Sequence, residues 1–151
     1  IICGAMSKGR KDLGIEALQQ SGFEVVFHRV AQRPGHPMAL AQRGRTLLFG
    51  LPGNPLAVLF TFYRHVLPTL DRLRGCSPAA PRGVAVSGDV PALAEATRFV
   101  PCRIENGQAI LSLAHNSGDL QCLANTDGFI EIPPAASRET EGNGVAFRSW
   151  K

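Results

Sequence analysis

The sequence lacks several features that would assign it to a specialised class of protein. No apolar run approaches the roughly 20 residues of a membrane-spanning helix, and no signal peptide is visible. There is no internal repeat and no low-complexity segment. Basic residues are dispersed and show no stacking pattern with aromatic ones, which argues against nucleic acid. We therefore expect a globular chain with neither a membrane nor a nucleic acid as its partner.

The cysteine spacing excludes the common metal knuckles and redox pairs. Cys3, Cys76, Cys102 and Cys122 are far apart, and no two have the two-residue spacing of those motifs. The four histidines are equally scattered, so a zinc site would need ligands assembled from distant segments. Free thiols predict a reducing compartment, and we expect a cytoplasmic protein.

What the sequence does contain is an ordinary composition with an uneven charge. Its 151 residues are 44% hydrophobic and 19% charged, enough for one medium domain or two small ones. Residues 1–75 contain ten lysines and arginines against four acidic residues, whereas residues 76–151 contain six against eight. The basic first half suits an anionic ligand. The chain opens inside an apolar strand pattern without a methionine, so we expect a piece of a longer protein.

Strand and helix patterns alternate in residues 1–75, which predicts an α/β layer architecture. Gly22 lies just past the first predicted helix as a C-cap, and Pro68 should kink the second. The last two strands should form a hairpin around Arg43 and Gly44. The predicted elements are strands at 1–3, 23–30, 38–41 and 46–49, and helices at 11–20 and about 55–74.

A stretch of small residues and prolines from Gly75 to Pro81 marks a predicted domain boundary. Asn106-Gly107, farther along, is a hairpin-turn signal. We therefore predict an α/β unit at 1–75 and a small β-barrel or sandwich at 76–151. The strands predicted in the second unit are 83–86, 98–105, 108–113, 129–132 and 145–150.

The GLPGNP turn at 50–55 lies between a buried strand and a long helix. Open α/β sheets bind ligands at such carboxyl ends of strands. Gly50 and Gly53 allow a tight turn, Asn54 is a favoured N-cap, and Pro55 suits the first helical turn. Unpaired N–H groups and the helix dipole would then favour a phosphate. The alternative is a tight turn before a capped helix, without a ligand.

Two further loops could contribute to such a site. Arg33 and His36 belong to a rigid Arg-Pro-Gly-His-Pro turn, from which Arg33 could reach an anion. In the loop from Cys3 to Asp12, Ser7 offers a hydroxyl, Gly9 brings the backbone close, and Asp12 could bind Mg²⁺ beside ligand phosphates. The alternatives are a solvent-facing Arg33 and His36, and an Asp12 that only compensates a helix dipole. No pairing of a nucleophile with a base is evident.

Three of these segments occur in the order found in one protein family. CGAMSKGRKD at 3–12 resembles the loop S-G-G-V-S-x-G-x-x-D, RPGHP at 33–37 resembles K-P-G-K-P, and GLPGNP is the most specific match. Residues 114–133 resemble the C-terminal β-domain of the same family. The chain therefore resembles the MoeA/gephyrin family, the molybdopterin molybdotransferases. The implied fold is part of a three-layer molybdopterin-binding α/β domain followed by a small β-barrel domain.

The resemblance implies roles for individual residues. Asp12 would lie near a metal and the ligand phosphates, and Ser7 and Gly9 would face the pterin or a phosphate. Pro52 and Pro55 match two prolines of the family turn, at the proposed molybdate end, and with Asp12 they form the implied catalytic set.

The remaining implied ligand-binding residues are Arg33, His36, Gly50, Gly53 and Asn54. Arg33 and His36 stand where the family has two lysines, and the other three belong to the family turn. His36 is mostly neutral at pH 7, whereas lysine is charged, so the resemblance implies an altered oxyanion contact.

The family inserts molybdate into adenylylated molybdopterin and releases AMP in a Mg²⁺-dependent step. The resemblance therefore implies Mg²⁺ as cofactor, molybdopterin and molybdate as substrates, a homodimer, and a molybdopterin adenylyltransferase as pathway partner. This chain alone is expected to be inactive. Because Cys3, Ala5, Lys8 and His36 depart from the family pattern, the alternative is a non-catalytic scaffold that binds a pterin or a peptide.

Overall fold

The computed structural model describes residues 1–4, 14–89, 92–114, 116, 118–135 and 144–150. They form two β-sheets and a long helix, which follows all the strands of the first sheet in the chain. No helix among these residues is both long and apolar enough to span a membrane.

The first sheet has four strands in the order β1-β5-β4-β2. β1 runs parallel to β5, whereas β4 is antiparallel to both of its neighbours. Gly44 has a φ of 55° in the two-residue turn between β4 and β5, which confirms the predicted hairpin. The strands are β1 (Ile2–Cys3), β2 (Glu24–His28), β4 (Ala39–Arg43) and β5 (Thr46–Leu51).

All four strands differ from their predicted bounds by one or two residues, and two of the differences have a clear backbone cause. β5 continues to Leu51, two residues beyond the predicted end, because Gly50 pairs with both Ile2 and Ala39. β2 ends at His28 because Arg29 takes a left-handed φ of 75°. A glycine inside a paired strand carries no periodic side-chain signal, so the sequence pattern stopped before Gly50.

Helices cover both faces of this sheet, as in a three-layer α/β unit. Leu18 of α1 (Gly14–Gln20) packs against Ala39 and Ala41 of β4 on one face. On the other face, Val66 of the long helix packs with Phe49 of β5. Successive strand residues point to opposite faces, which is why neighbouring residues of β4 and β5 serve different helices.

Gly22 ends α1 in the predicted way. Its φ is 77°, and its N–H bonds to the Gln19 carbonyl at 3.0 Å. The Phe23 N–H bonds to the Leu18 carbonyl at 3.0 Å, which completes a Schellman motif.

The long helix is continuous but changes its hydrogen bonding halfway. It consists of α2 (Pro55–Thr61), a π-helical turn (Phe62–Val66) and α3 (Leu67–Leu73). Pro68 has no N–H, and its ring would collide with the carbonyl four residues earlier in a regular helix. The wider π turn directly before it accommodates the ring, and this confirms that Pro68 disturbs the helix.

The second half forms a closed five-stranded barrel, as predicted. The strand order is β7-β8-β6-β10-β9, and β9 closes it by pairing with β7. Asn106 and Gly107 both have positive φ angles, of 49° and 80°, as a type I′ hairpin turn requires. The strands are β6 (Arg82–Ser87), β7 (Thr97–Glu105), β8 (Gln108–Leu111), β9 (Gly128–Ile132) and β10 (Val145–Ser149).

The barrel and the α/β unit share contacts across their junction. Phe60 of α2 packs edge-on against Phe129 of β9, with ring centroids 5.1 Å apart, and also contacts Phe99 and Trp150. A two-residue strand, β3 (Gln32–Arg33), leaves the α/β unit and pairs in parallel with Thr97 and Arg98 of β7. β3 was not predicted, because two residues are too few to show an alternating pattern.

Candidate functional site

Two predicted site loops meet where the parallel strands β1 and β5 end. The Gly4 N–H donates to the carbonyls of Leu51 and Pro52, at 3.0 and 3.3 Å. Gly53 is equally close, because a Cβ on it would lie 3.7 Å from the Gly4 Cα. The loop after β1 therefore begins beside the turn after β5. Ser7, Gly9 and Asp12, which belong to that loop, lie outside the described residues.

The turn leads into α2 as the sequence predicted. Asn54 is the N-cap, and its Oδ1 accepts a hydrogen bond from the Ala57 N–H at 3.1 Å. Pro55 is the first helical residue. Among the described residues, none accepts a hydrogen bond from the N–H of Gly53 or of Leu56. Pro52 is buried and Gly53 is exposed, so the turn presents its backbone at Gly53.

We expect Asn54→Ala to lower the free energy of unfolding by about 1 kcal/mol, because the Ala57 N–H loses its acceptor. Urea unfolding followed by circular dichroism would measure the change. Asn54→Asp keeps an acceptor at the same position and serves as the matched control. Equal losses for the two variants would contradict the capping role.

The Arg-Pro-Gly-His-Pro loop is held tightly against α2. Gly35 has a φ of 103°, and a Cβ on it would lie only 2.5 Å from Cγ2 of Thr61. His36 is exposed, and its Nδ1–H donates to the Val30 carbonyl at 2.8 Å. Arg33 is exposed as well. The loop therefore has a fixed backbone, and both of its basic side chains are exposed.

Arg98 of β7, which the sequence did not indicate as a site residue, lies beside Arg33. The two arginines are register partners in the parallel β3–β7 pair, and such partners place their side chains on the same face. Two guanidinium groups on one face favour an anion between them. No sequence signal marks Arg98, because only the β3–β7 pairing brings it beside Arg33.

The two arginines line a cleft of about 550 Å³ between the α/β unit and the barrel. The cleft combines cationic groups with apolar walls, and its lining includes Arg33, His36, Leu56, Phe60, Arg98 and Phe99. Leu56 directly follows Pro55, so the first turn of α2 contacts both the sheet edge and this cleft. Pro52, Gly53 and Asn54 lie at the sheet edge and are not among the lining residues.

The opposite face of the β3–β7 pair carries a buried polar network. Gln32 is 2% exposed, and its side-chain amide links the Gly35 carbonyl to His65 of the π turn. Burial, together with the charges of Arg64 and Arg148, lowers the pKa of His65 from 6.5 to about 4. His65 is therefore neutral at physiological pH.

A second cleft contains none of the predicted site residues. This cleft of about 420 Å³ lies between α3 and the barrel, and none of its lining residues was predicted to bind a ligand.

In the part of the chain that the structure describes, no group of three or more His, Cys, Asp or Glu residues could hold a metal. Cys3, Cys76, Cys102 and Cys122 are free thiols, as expected, and burial raises the pKa of Cys102 to about 12.

The two halves of the chain match two family models. Residues 1–72 match the model described as a probable molybdopterin binding domain, and residues 84–150 match the MoeA C-terminal region, domain IV. Together with the layered sheet, the cleft and the barrel, these matches define a MoeA-type α/β unit joined to a C-terminal barrel.

Proteins that are similar in sequence or in structure support this assignment. The molybdopterin molybdenumtransferase of Synechocystis sp. is 31% identical over 157 residues, which cover 99% of this chain and 38% of that protein. The molybdenum cofactor synthesis protein cinnamon of Drosophila melanogaster is 32% identical and is covered to 24%. The MoeA structure from Pyrococcus horikosii superposes with a TM-score of 0.69 at 29% identity, covering 90% of this chain and 34% of that one. The chain belongs to the MoeA family, and it spans less than two fifths of the length of these relatives.

Proposed function

We propose that this chain is the C-terminal part of a molybdopterin molybdenumtransferase that inserts molybdate into adenylylated molybdopterin and releases AMP. The observation that carries the proposal is the pairing of Arg33 with Arg98 in a cleft beside the start of α2. The names of the relatives support it, since molybdopterin molybdenumtransferase recurs among them. The alternative of a non-catalytic scaffold has no comparable support.

The two parts of the site suit different portions of the ligand. At the sheet edge, the turn from Pro52 to Pro55 lies beside Gly4, the last described residue before the loop that contains Ser7, Gly9 and Asp12. Helix N-termini favour phosphate, so this edge would hold the phosphate of the pterin. Gly50 lies inside β5 and acts indirectly, by keeping the turn in register with β1.

The cleft would hold the oxyanion. Arg33 and Arg98 are permanently charged and can each donate two parallel hydrogen bonds to a tetrahedral anion. The Nδ1–H of His36 is already bonded to the Val30 carbonyl, so its Nε2 could donate to the oxyanion only when the ring is an imidazolium. These cleft residues would stabilise the negative charge of molybdate and of the phosphate while AMP is released. This role requires no nucleophile from the protein.

Mg²⁺ would be bound by Asp12 together with ligand phosphates, as hard cations prefer few carboxylates plus phosphate oxygens. When bound, it would neutralise phosphate charge and so favour release of AMP. We further propose that the parent protein is a cytoplasmic homodimer supplied by a molybdopterin adenylyltransferase, and that its domains divide here at residues 75–81.

The test is isothermal titration of molybdate at constant ionic strength. We expect Arg33→Ala and Arg98→Ala each to weaken binding at least about tenfold, because each removes a charge-assisted hydrogen bond worth roughly 1.5–3 kcal/mol. Arg45→Ala is the matched control, since Arg45 lies in the β4–β5 hairpin turn away from the cleft. Unchanged affinity in both cleft variants, or an equal loss in the control, would refute the assignment.

A further inference from the structure

Gln32 lies between the Arg-Pro-Gly-His-Pro loop and the π turn of the long helix. Its Nε2 donates to the Gly35 carbonyl at 3.2 Å, and its Oε1 lies 2.7 Å from Nε2 of His65. A backbone carbonyl can only accept, so the amide nitrogen faces Gly35 and the amide oxygen faces His65. The His65 Nε2 must therefore carry the proton. Both ends of a side chain that is 2% exposed are satisfied by these two partners.

The loop is thereby attached to one face of the helix at two places. Gly35 lies against Thr61, where a Cβ would approach Cγ2 to 2.5 Å. Gln32 bonds to His65, four residues farther along. Residues three and four apart share a helix face, so these two contacts hold the loop at both ends of one short surface. Movement of the loop would break the Gln32 bonds and open the Gly35 contact together.

The orientation of Gln32 in β3 also determines the direction of the Arg33 side chain. Gln32 pairs with Thr97 and Arg33 pairs with Arg98, so the side chains of Gln32 and Arg33 leave opposite faces of the β3–β7 pair. While Gln32 is bonded toward the helix, Arg33 is directed into the cleft. His36 follows Gly35, whose carbonyl is the other partner of Gln32.

We propose that Gln32 and His65 are positioning residues, which hold the Arg-Pro-Gly-His-Pro loop so that Arg33 and His36 bind the oxyanion in the cleft. This inference rests on the proposed function, because it concerns the same anion. Neither residue touches the ligand, and His65 acts through Gln32. The two bonds fix the orientation of the Gln32 amide, because only one donor–acceptor arrangement satisfies both Gly35 and His65.

A double-mutant cycle on molybdate affinity tests the pair. We expect Gln32→Met and His65→Phe each to weaken molybdate binding about tenfold through misplacement of Arg33. The double variant should lose no more than the worse of the two, because each change leaves the other residue without its partner. His65→Gln keeps an N–H donor and should bind close to the wild type. Gln42→Met is the matched control, since it also removes an amide bond to a glycine carbonyl, that of Gly44.

The outcomes separate this inference from the proposed function. If the single variants lower the melting temperature but leave molybdate affinity unchanged, the pair is only structural and the inference fails. If Arg33→Ala abolishes binding while Gln32→Met does not, the inference alone fails. If the wild type binds no molybdate, the proposed function fails first. Nitrogen NMR of the wild type gives a check that needs no variant, since His65 protonated at Nδ1 rather than Nε2 would overturn the pair.

Discussion

Replacing Phe60 by alanine should lower the free energy of unfolding by about 4 kcal/mol, the usual cost of removing a buried phenylalanine. Phe60 has no exposed surface and contacts Phe99, Phe129 and Trp150, which belong to the barrel half. The cavity would therefore open at the junction of the two halves. Because Trp150 is the only tryptophan, its fluorescence during urea unfolding reports directly on this cluster.

The control for Phe60→Ala is Leu73→Ala on the same helix. Leu73 is 68% exposed, so its loss should change stability by less than about 0.5 kcal/mol. We also expect the Phe60 variant to weaken molybdate binding, since Phe60 lines the cleft beside the arginines. A loss of stability below about 1 kcal/mol would mean that the junction repacks around the gap and that the halves do not depend on this ring.

Acidification from pH 7 to pH 4 should remove about 2 kcal/mol of stability through His65 alone. Its pKa is lowered from 6.5 to about 4 by burial first, and then by Arg64 and Arg148. The unfolded chain therefore binds a proton at this histidine over a range where the folded chain does not, and stability falls as the pH drops through that range. The full shift would correspond to about 3 kcal/mol at 1.36 kcal/mol per unit, and partial exposure of the ring reduces it.

The measurement is the free energy of unfolding of the wild type and of His65→Gln at several pH values. Groups other than His65 contribute equally to the pH dependence of both proteins. Their difference isolates His65, and it should change mainly between pH 6.5 and about 4. Parallel curves for the two proteins would show that His65 is as easily protonated in the fold as in the unfolded chain.

Local chemistry explains why much of the fold was predictable. Gly22, Asn106-Gly107 and Pro68 act through backbone angles and missing donors, which depend on the residue itself and hardly on its surroundings. The capping of α2 by Asn54 is also a local effect, because its donor and acceptor are three residues apart. The barrel strands followed from their alternating patterns and turn signals.

The parts that were not predictable depend on pairing between distant segments. Gly50 was placed in the turn because nothing local shows that Ile2 and Ala39 pair with it on either side. Arg98 was missed altogether, although it completes the cationic face beside Arg33. His65 and Gln32 looked unremarkable in sequence because they are 33 residues apart.

By itself, the sequence determined the order of the three loops predicted to bind a ligand, the helix that starts at Pro55, and the change from α/β elements to barrel strands after α3. Those features arise from backbone preferences and periodicity over a few neighbouring residues. Only the tertiary structure decided that an arginine of the barrel joins one of the α/β unit, and that a buried amide orients the loop between them. The physical reason is that a charge pair or a hydrogen bond depends on distance in space, which strand pairing across the junction sets and local pattern does not.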